Sequence, residues 1–210
     1  MLNKRSITEE IKRGSIFVDN GLEQLEKNSI LVTLGDTIKV YDASHLDSRY
    51  ETPTKEFVIP DEGFPLAPQA KEFYIGRTKE YTKIHGFVPL LTGTEELATM
   101  GVEVHVTAGF GDNGFEGTWT LEIVNYNTEE VRLFKGMPIG HLYYNPLIGK
   151  SDIEYRGKYF KQVAPTASRL SQEYTKEKGL VRKRVNNQWN KKTNAFRKYW
   201  NWKFKRKCIK

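Results

Sequence analysis

The sequence of 210 residues contains a single cysteine and no long uninterrupted run of apolar residues. One cysteine excludes a framework of intramolecular disulfides and the zinc sites that need two or more thiolates. A membrane-spanning helix needs about 20 consecutive apolar residues, so none is expected. The first residues also lack the apolar segment of a secretory signal. We therefore expect an intracellular protein of the cytoplasm, or of the host cytoplasm if the chain is viral.

Acidic residues are almost missing from the end of the chain. Residues 176–210 contain 14 Lys or Arg and one acid, whereas residues 1–175 contain 19 bases and 25 acids. The net charge of +7 thus combines an acidic body of −6 with a basic tail of +13. We predict a folded domain over 1–175 and a basic, aromatic extension over 176–210. Such asymmetry is typical of tails that contact a polyanion or the body itself.

The tail has the pattern of an amphipathic helix. Its apolar residues recur at intervals of four and seven residues, which places them on one helical face. They are Val185, Trp189, Phe196, Trp200 and Phe204. Three interpretations remain open: a helix docked on a neighbouring subunit, a contact with nucleic acid or another polyanion, and a helix on a membrane surface. The residues assigned to a nucleic-acid or partner contact are Trp189, Lys191, Lys192, Arg197 and Trp200.

Turn-forming residues divide the body into short β-type segments. Many short strands at a spacing of roughly 8–12 residues are typical of an all-β sandwich or barrel. Ser6 followed by Glu9 has the spacing of a capping box, and Gly14 follows, so we predict a helix over 6–13. A single helical turn is predicted over 94–100. The predicted strands are 29–34, 37–41, 56–59, 72–75, 87–91, 102–107, 118–126, 131–134 and 139–144.

Two of these strands carry polar side chains in an alternating pattern. In 102–107, valines alternate with Glu103, His105 and Thr107, so one face belongs to the core and the other is wet or binds a ligand. Glu122 lies between Leu121 and Ile123 in the same way. An enclosed carboxylate at Glu122 would suit general acid and base chemistry, and the alternative is a solvated strand glutamate. We predict a hydrogen-bonded strand histidine at His105, with a pocket-facing side chain as the alternative.

Four motifs in the body resemble those of the dCTP deaminase branch of the dUTPase superfamily. They are H-V-T-A at 105–108, D-x-G-F-x-G at 112–117, L-E-x-x-N at 121–125 and G-M-x-I-G-x-L at 136–142. Residues 155–169 are similar to the C-terminal segment that closes over the nucleotide in this family. The resemblance covers about 1–170, and the short, Lys- and Asn-rich chain fits a divergent, viral member.

The resemblance implies a distorted β-barrel or jelly roll and a homotrimer with active sites between subunits. It also implies hydrolytic deamination of dCTP to dUTP and ammonia. No cofactor or metal would be bound by the protein itself, and Mg²⁺ would enter only with the triphosphate. In this family a glutamate at the position of Glu122 activates the water that attacks C4 of cytosine. The residues that the resemblance assigns to substrate binding are Thr107, Ala108, Tyr155, Lys158 and Gln162.

The phosphate-binding motif departs from the family pattern. The family reads G-R-S-S-x-A-R-x-G where residues 93–101 read G-T-E-E-L-A-T-M-G. Thr94 and Thr99 therefore replace both arginines, and Glu95 and Glu96 add charges that repel a triphosphate. The phosphates would then be held by Lys158, Lys161 or the tail of a neighbouring subunit. Two alternatives to deamination remain open: a dUTP pyrophosphatase, and a degenerate protein that binds nucleotide, nucleic acid or a protein partner.

Overall fold

The computed structural model describes residues 1–149 and 153–174. The predicted helix of 176–210 lies outside the described residues, and so do Trp189, Lys191, Lys192, Arg197 and Trp200. The chain divides into two compact units. The larger contains Met1–His45 and Thr52–Ala167, and the described parts of the smaller are Leu46–Glu51 and 168–174. The predicted boundary after residue 175 stays a prediction.

The larger unit is built mostly from short strands, which confirms the predicted all-β fold class. Among the described residues no helix is long and apolar enough to cross a membrane. The helices are α1 (Lys4–Arg13) and α2 (Glu95–Thr99). The strands are β1 (Ile16–Val18), β2 (Ile30–Thr33), β3 (Thr37–Tyr41), β4 (Thr54–Val58), β5 (Phe64–Leu66), β6 (Tyr74–Arg77), β7 (Thr82–Ile84), β8 (Phe87–Gly93), β9 (Val102–Val104), β10 (Glu116–Gly117), β11 (Thr120–Asn125), β12 (Val131–Leu133) and β13 (Pro138–Pro146).

The strands form four antiparallel sheets, and none closes into a barrel within the described part of the chain. The largest sheet has five strands in the order β4-β3-β6-β11-β9. Two sheets have three strands each, in the orders β1-β7-β10 and β2-β13-β8, and β12 pairs with β5 alone. The architecture is therefore a set of packed sheets, and the barrel of the expected fold is not closed within the described residues.

Helix α1 confirms the predicted N-terminal helix but begins two residues before the predicted start. The side chain of Asn3 caps it by accepting a hydrogen bond from the Ser6 amide at 3.0 Å. The predicted capping box is therefore wrong, and Glu9 instead pairs with Arg5 at 3.1 Å. Gly14 ends the helix as predicted, with φ of 79°, a left-handed conformation that glycine adopts without steric cost.

Each of the nine predicted strands overlaps a strand of the structure, but some bounds differ. The strand predicted over 102–107 ends at Val104, because His105 adopts a positive φ of 72° that breaks the extended backbone. The helical turn predicted over 94–100 is α2, and Thr94 is its N-cap. Strands β1, β5, β7 and β10 were not predicted. They contain only two or three residues each, too few for an alternating pattern to stand out.

Strand β11 separates the core from a polar face of the five-stranded sheet. Leu121 and Ile123 are fully buried on its core side, and Glu122 points to the opposite side. Residues directly opposite each other in antiparallel strands project to the same face. We call this second side the polar face. By register it carries Thr120, Glu122 and Val124 of β11, Ile75 and Arg77 of β6, Lys39 of β3 and Glu103 of β9.

Candidate active site

Glu122 lies in the middle of the polar face, between two strands. Its partner on β6 is Ile75, which in turn lies opposite Lys39 of β3. The side chain of Glu122 retains 29% of its surface exposed, so one side of the carboxylate is buried and the other is open. A water molecule can therefore reach this carboxylate while the protein fixes its orientation.

His105 turns the chain out of β9 and places its ring beside Glu122. The His105 amide donates to the carbonyl oxygen of Glu122 at 2.8 Å, so the two residues are neighbours across the strands. Its ring is nearly buried, with 6% of the side chain exposed, and lies edge-on to Trp119 at 6.4 Å between centroids. A left-handed conformation costs a non-glycine residue roughly 1–3 kcal/mol. The surrounding contacts hold His105 in this conformation.

The ring of His105 lies against the carboxylate of Glu122. Nε2 lies 2.9 Å from the carbonyl oxygen of Ala108, which only accepts, so Nε2 carries a hydrogen. Nδ1 lies 2.7 Å from Oε2 of Glu122. The contact is electrostatic, because neither atom makes a well-aligned hydrogen bond among the described residues.

Gln162 reaches the same strand from the C-terminal part of the larger unit. Residues 153–162, which we call the strap, run along β10 and the residues that follow it. The side-chain nitrogen Nε2 of Gln162 donates to the carbonyl oxygen of Thr118 at 2.8 Å and to Oγ1 of Thr120 at 3.1 Å. Its Oε1 is buried without a hydrogen-bond partner in the described structure. Gln162 therefore contacts Thr120, which shares the polar face with Glu122.

The other predicted substrate residues lie at varying distances from this pair. The Tyr155 ring packs against Phe115, and its hydroxyl accepts a hydrogen bond from the Tyr159 amide at 3.1 Å. Nζ of Lys158 lies 5.5 Å from the centre of the Tyr159 ring. Thr107 and the Ala108 side chain are exposed, although the Ala108 carbonyl binds His105. The structure thus brings the Ala108 carbonyl to the pair and Gln162 to the neighbouring Thr120, whereas Tyr155 and Lys158 contact other residues of the strap and Phe115.

The residues predicted to bind phosphate make local hydrogen bonds at helix α2. The Thr94 hydroxyl accepts from the Leu97 amide at 3.4 Å, and the Thr99 hydroxyl donates to the carbonyl oxygen of Glu96 at 2.9 Å. Glu95 and Glu96 are exposed. A role for Thr94 and Thr99 in phosphate binding therefore stays a prediction. Across the described residues no three His, Cys, Asp or Glu side chains come close enough to hold a metal ion.

Two polar residues were missed by sequence reasoning, one on the polar face and one outside the site. Thr120 shares the polar face with Glu122, and the alternation that singled out Glu122 could have identified it. Glu80 is only 2% exposed, and its carboxylate accepts hydrogen bonds from Thr33 and Gln24. These residues are distant in sequence, so no local pattern indicates that they meet.

Comparisons with known proteins agree with this fold. Residues 1–147 match the family model described as dCTP deaminase-like. A "dCTP deaminase, dUMP-forming" from Clostridium acetobutylicum is 36% identical over 159 residues, which cover 76% of this chain and 90% of the relative. A protein of the same description from Cytophaga hutchinsonii is 37% identical over 153 residues, 73% of this chain and 86% of the relative.

A solved structure shares the fold at low sequence identity. The crystal structure of 2′-deoxycytidine 5′-triphosphate deaminase from Agrobacterium tumefaciens gives a TM-score of 0.52 at 14% identity. The match covers 68% of this chain and 46% of that chain, and it supports the fold alone. Together, the family model and the relatives show that this chain belongs to the dCTP deaminase-like family of deoxynucleotide metabolism.

Proposed function

We propose that this protein catalyses the hydrolytic deamination of dCTP, with Glu122 as the general base and acid. The observation that carries the proposal is the pair of Glu122 and His105, with Nδ1 and Oε2 2.7 Å apart on the polar face. Family membership and the printed descriptions of the relatives support dCTP as the substrate. A carboxylate that is both fixed and open to water suits proton transfer to and from a reacting base.

In the proposed reaction Glu122 accepts a proton from water through the oxygen that does not face His105. The resulting hydroxide adds to C4 of cytosine, and Glu122 passes the proton on to N3 as the ring loses its aromatic character. Glu122 then takes the proton of the C4 hydroxyl and delivers it to the amino nitrogen. The bond from C4 to that nitrogen breaks, the C4 oxygen becomes a carbonyl, and ammonia leaves. The sum is dCTP and water giving dUTP and ammonia. His105 holds the carboxylate in place through the contact between Nδ1 and Oε2.

Substrate recognition in this proposal uses the strap and a second subunit. Gln162 belongs to the strap and contacts Thr120 on the polar face, and in this proposal it is one of the substrate-binding residues. Thr107 and Ala108 are exposed in one chain, which agrees with a pocket completed by another subunit of a homotrimer. Lys158, Lys161 or the basic tail would neutralise the phosphates, which carry Mg²⁺ into the site.

A second candidate reaction follows from the descriptions of the relatives. Both are dUMP-forming, so we also propose that dUTP is hydrolysed further to dUMP and pyrophosphate. This would combine the deaminase with the pyrophosphatase alternative of the sequence analysis. The degenerate alternative, binding without catalysis, rests on the replaced phosphate motif at 93–101.

Product analysis separates these reactions. We expect the purified protein with Mg²⁺ to release ammonia from dCTP, with dUTP, or dUMP and pyrophosphate, as the other products. Parallel incubations with dUTP and with dCMP show whether pyrophosphate release needs deamination and whether the triphosphate is required. Release of pyrophosphate from dUTP without ammonia from dCTP would leave only the pyrophosphatase. No product from any nucleotide would favour the binding protein.

The tail gives a prediction of its own, because its charge of +13 is concentrated in residues 176–210. If the tail contacts a polyanion, deletion of 176–210 should abolish retention on immobilised nucleic acid. In the full chain this retention should weaken steeply with salt, because binding releases cations from the nucleic acid and that release is less favourable at higher salt. The elution salt and the oligomeric state of both proteins are measured together. A truncated chain that elutes unchanged but no longer assembles would contradict the polyanion contact and indicate an interface helix.

A further inference from the structure

The strap is fastened to the larger unit at both ends, and one fastening contains a histidine. Near its C-terminal end, the amide of Lys161 donates to the carbonyl oxygen of Glu116 at 2.7 Å, and Gln162 binds Thr118. Near its start, the amide of Tyr155 donates to the carbonyl oxygen of Asn113 at 2.7 Å. The carbonyl at 153 accepts from the Asn113 side chain at 3.1 Å. Most of these contacts are backbone bonds that do not depend on pH.

The exception is the contact between His85 and Glu154. His85 lies in the turn between β7 and β8, where its amide binds the carbonyl oxygen of Ser15 at 2.8 Å. Its Nδ1 lies 2.7 Å from Oε1 of Glu154, and Arg156 pairs with the other carboxylate oxygen. About a third of each side chain of the His85–Glu154 pair is exposed, so solvent protons reach both. The pair joins the strap to the turn that fixes β7 and β8.

We propose that His85 is a positioning residue that holds the strap through Glu154, so that closure of the strap over the nucleotide depends on the charge of His85. The proposal rests on the proposed function, in which the strap carries Tyr155, Lys158 and Gln162. Protonated imidazole donates a charge-assisted hydrogen bond that is roughly twice as strong as a neutral one. The strap is therefore held most tightly when His85 is a cation and Glu154 is ionised.

The pH range over which the contact between His85 and Glu154 holds the strap has an acidic and an alkaline limit. The hydrogen bond from His85, reinforced by the charges of His85 and Arg156, lowers the pKa of Glu154. A lowered carboxyl pKa keeps its contribution above the ordinary pKa and loses it only when the pH falls through the lowered value. On the alkaline side the hold weakens once a neutral imidazole replaces the cation, because the charge-assisted hydrogen bond to Glu154 is then lost. Further charged residues on the elements around His85 are Lys83 on β7, Asp112 between β9 and β10, and Arg13 at the end of α1.

Hydrogen exchange of the strap amides tests this inference without any measurement of activity. In the full chain, after correction for the intrinsic pH dependence of exchange, we expect protection at Tyr155 and the following strap residues to fall about 2- to 5-fold between pH 6 and 8.5, as expected for a partly exposed pair. His85→Gln retains a neutral donor but no titration, so its protection should stay at the high-pH level throughout. His85→Arg should stay at the low-pH level.

His45 provides the matched control, because it is exposed and lies in a different loop. His45→Gln should retain the wild-type pH profile. A wild-type profile in His85→Gln, or flat protection in the wild-type chain, would overturn the inference. With dCTP as substrate, KM should rise with pH in the wild-type protein and not in His85→Gln, whereas kcat should change little. A protein inactive on dCTP but with pH-dependent strap protection would refute the proposed function while supporting the role of His85.

Discussion

Replacement of Glu122 by Gln should lower kcat for dCTP deamination by about 10²- to 10⁴-fold, the contribution of a positioned acid or base. Glutamine has the same shape, and its amide can still contact Nδ1 of His105, which lies 2.7 Å from the carboxylate in the native pair. The amide cannot accept a proton from water, however. Because binding contacts are retained, KM should change much less than kcat. Ammonia release under saturating dCTP measures the effect.

Glu103 offers a matched control for this substitution. It lies on the same polar face, opposite Val124 on the neighbouring strand, and therefore changes the charge of the face by the same amount. Glu103→Gln should retain near-native kcat, because Glu103 lies opposite Val124, whereas His105 is the neighbour of Glu122. An equal loss in both variants would attribute the effect to the field of the polar face and contradict a specific role of Glu122. Undiminished deamination by Glu122→Gln would contradict the catalytic role of Glu122 directly.

Local chemistry accounts for the elements that could be predicted from the sequence. The helix end at Gly14 and the N-cap at Thr94 depend on residues adjacent in the chain. The long strands show alternation or apolar runs that a window of several residues detects. Strand β5 shows the opposite case, because its three residues contain Pro65 and pair only with β12. Proline is tolerated at such an edge, but in the sequence it argues against a strand.

Only the features of the site that follow from the residue pattern of a single strand could be predicted from the sequence. Alternation placed Glu122 on a polar face, whereas its contact with His105 depends on the register of β9 against β11. The same alternation predicted His105 in a continuing strand, and the positive φ of His105 is what turns its ring toward Glu122. That conformation is stabilised by the local contact with the Ala108 carbonyl and by the bond from the His105 amide to Glu122, which a window of neighbouring residues does not contain. The His85 contact with Glu154 is hidden in the same way.

A buried carboxylate outside the site should contribute to the stability of the larger unit. Oε1 of Glu80 accepts hydrogen bonds from the Thr33 hydroxyl at 2.7 Å and from the side-chain amide of Gln24 at 2.8 Å. Oε2 accepts a hydrogen bond from the Thr33 backbone amide at 2.9 Å. Thr33 ends β2, and Glu80 precedes β7, so these bonds join two of the three-stranded sheets. Since Glu80 is 2% exposed, water cannot replace a lost acceptor.

Glu80→Gln should therefore lower the free energy of unfolding by about 2–4 kcal/mol, because its amide nitrogen must face one of three donors. Urea unfolding at fixed protein concentration measures the loss, with an unchanged m-value showing that the unfolded state is comparable. Glu56→Gln is the control: its side chain is 50% exposed and its ion pair with Lys39 spans 3.2 Å. A surface pair contributes at most about 1 kcal/mol. Equal losses in both variants would show that the three bonds to Glu80 do not stabilise the junction between the sheets.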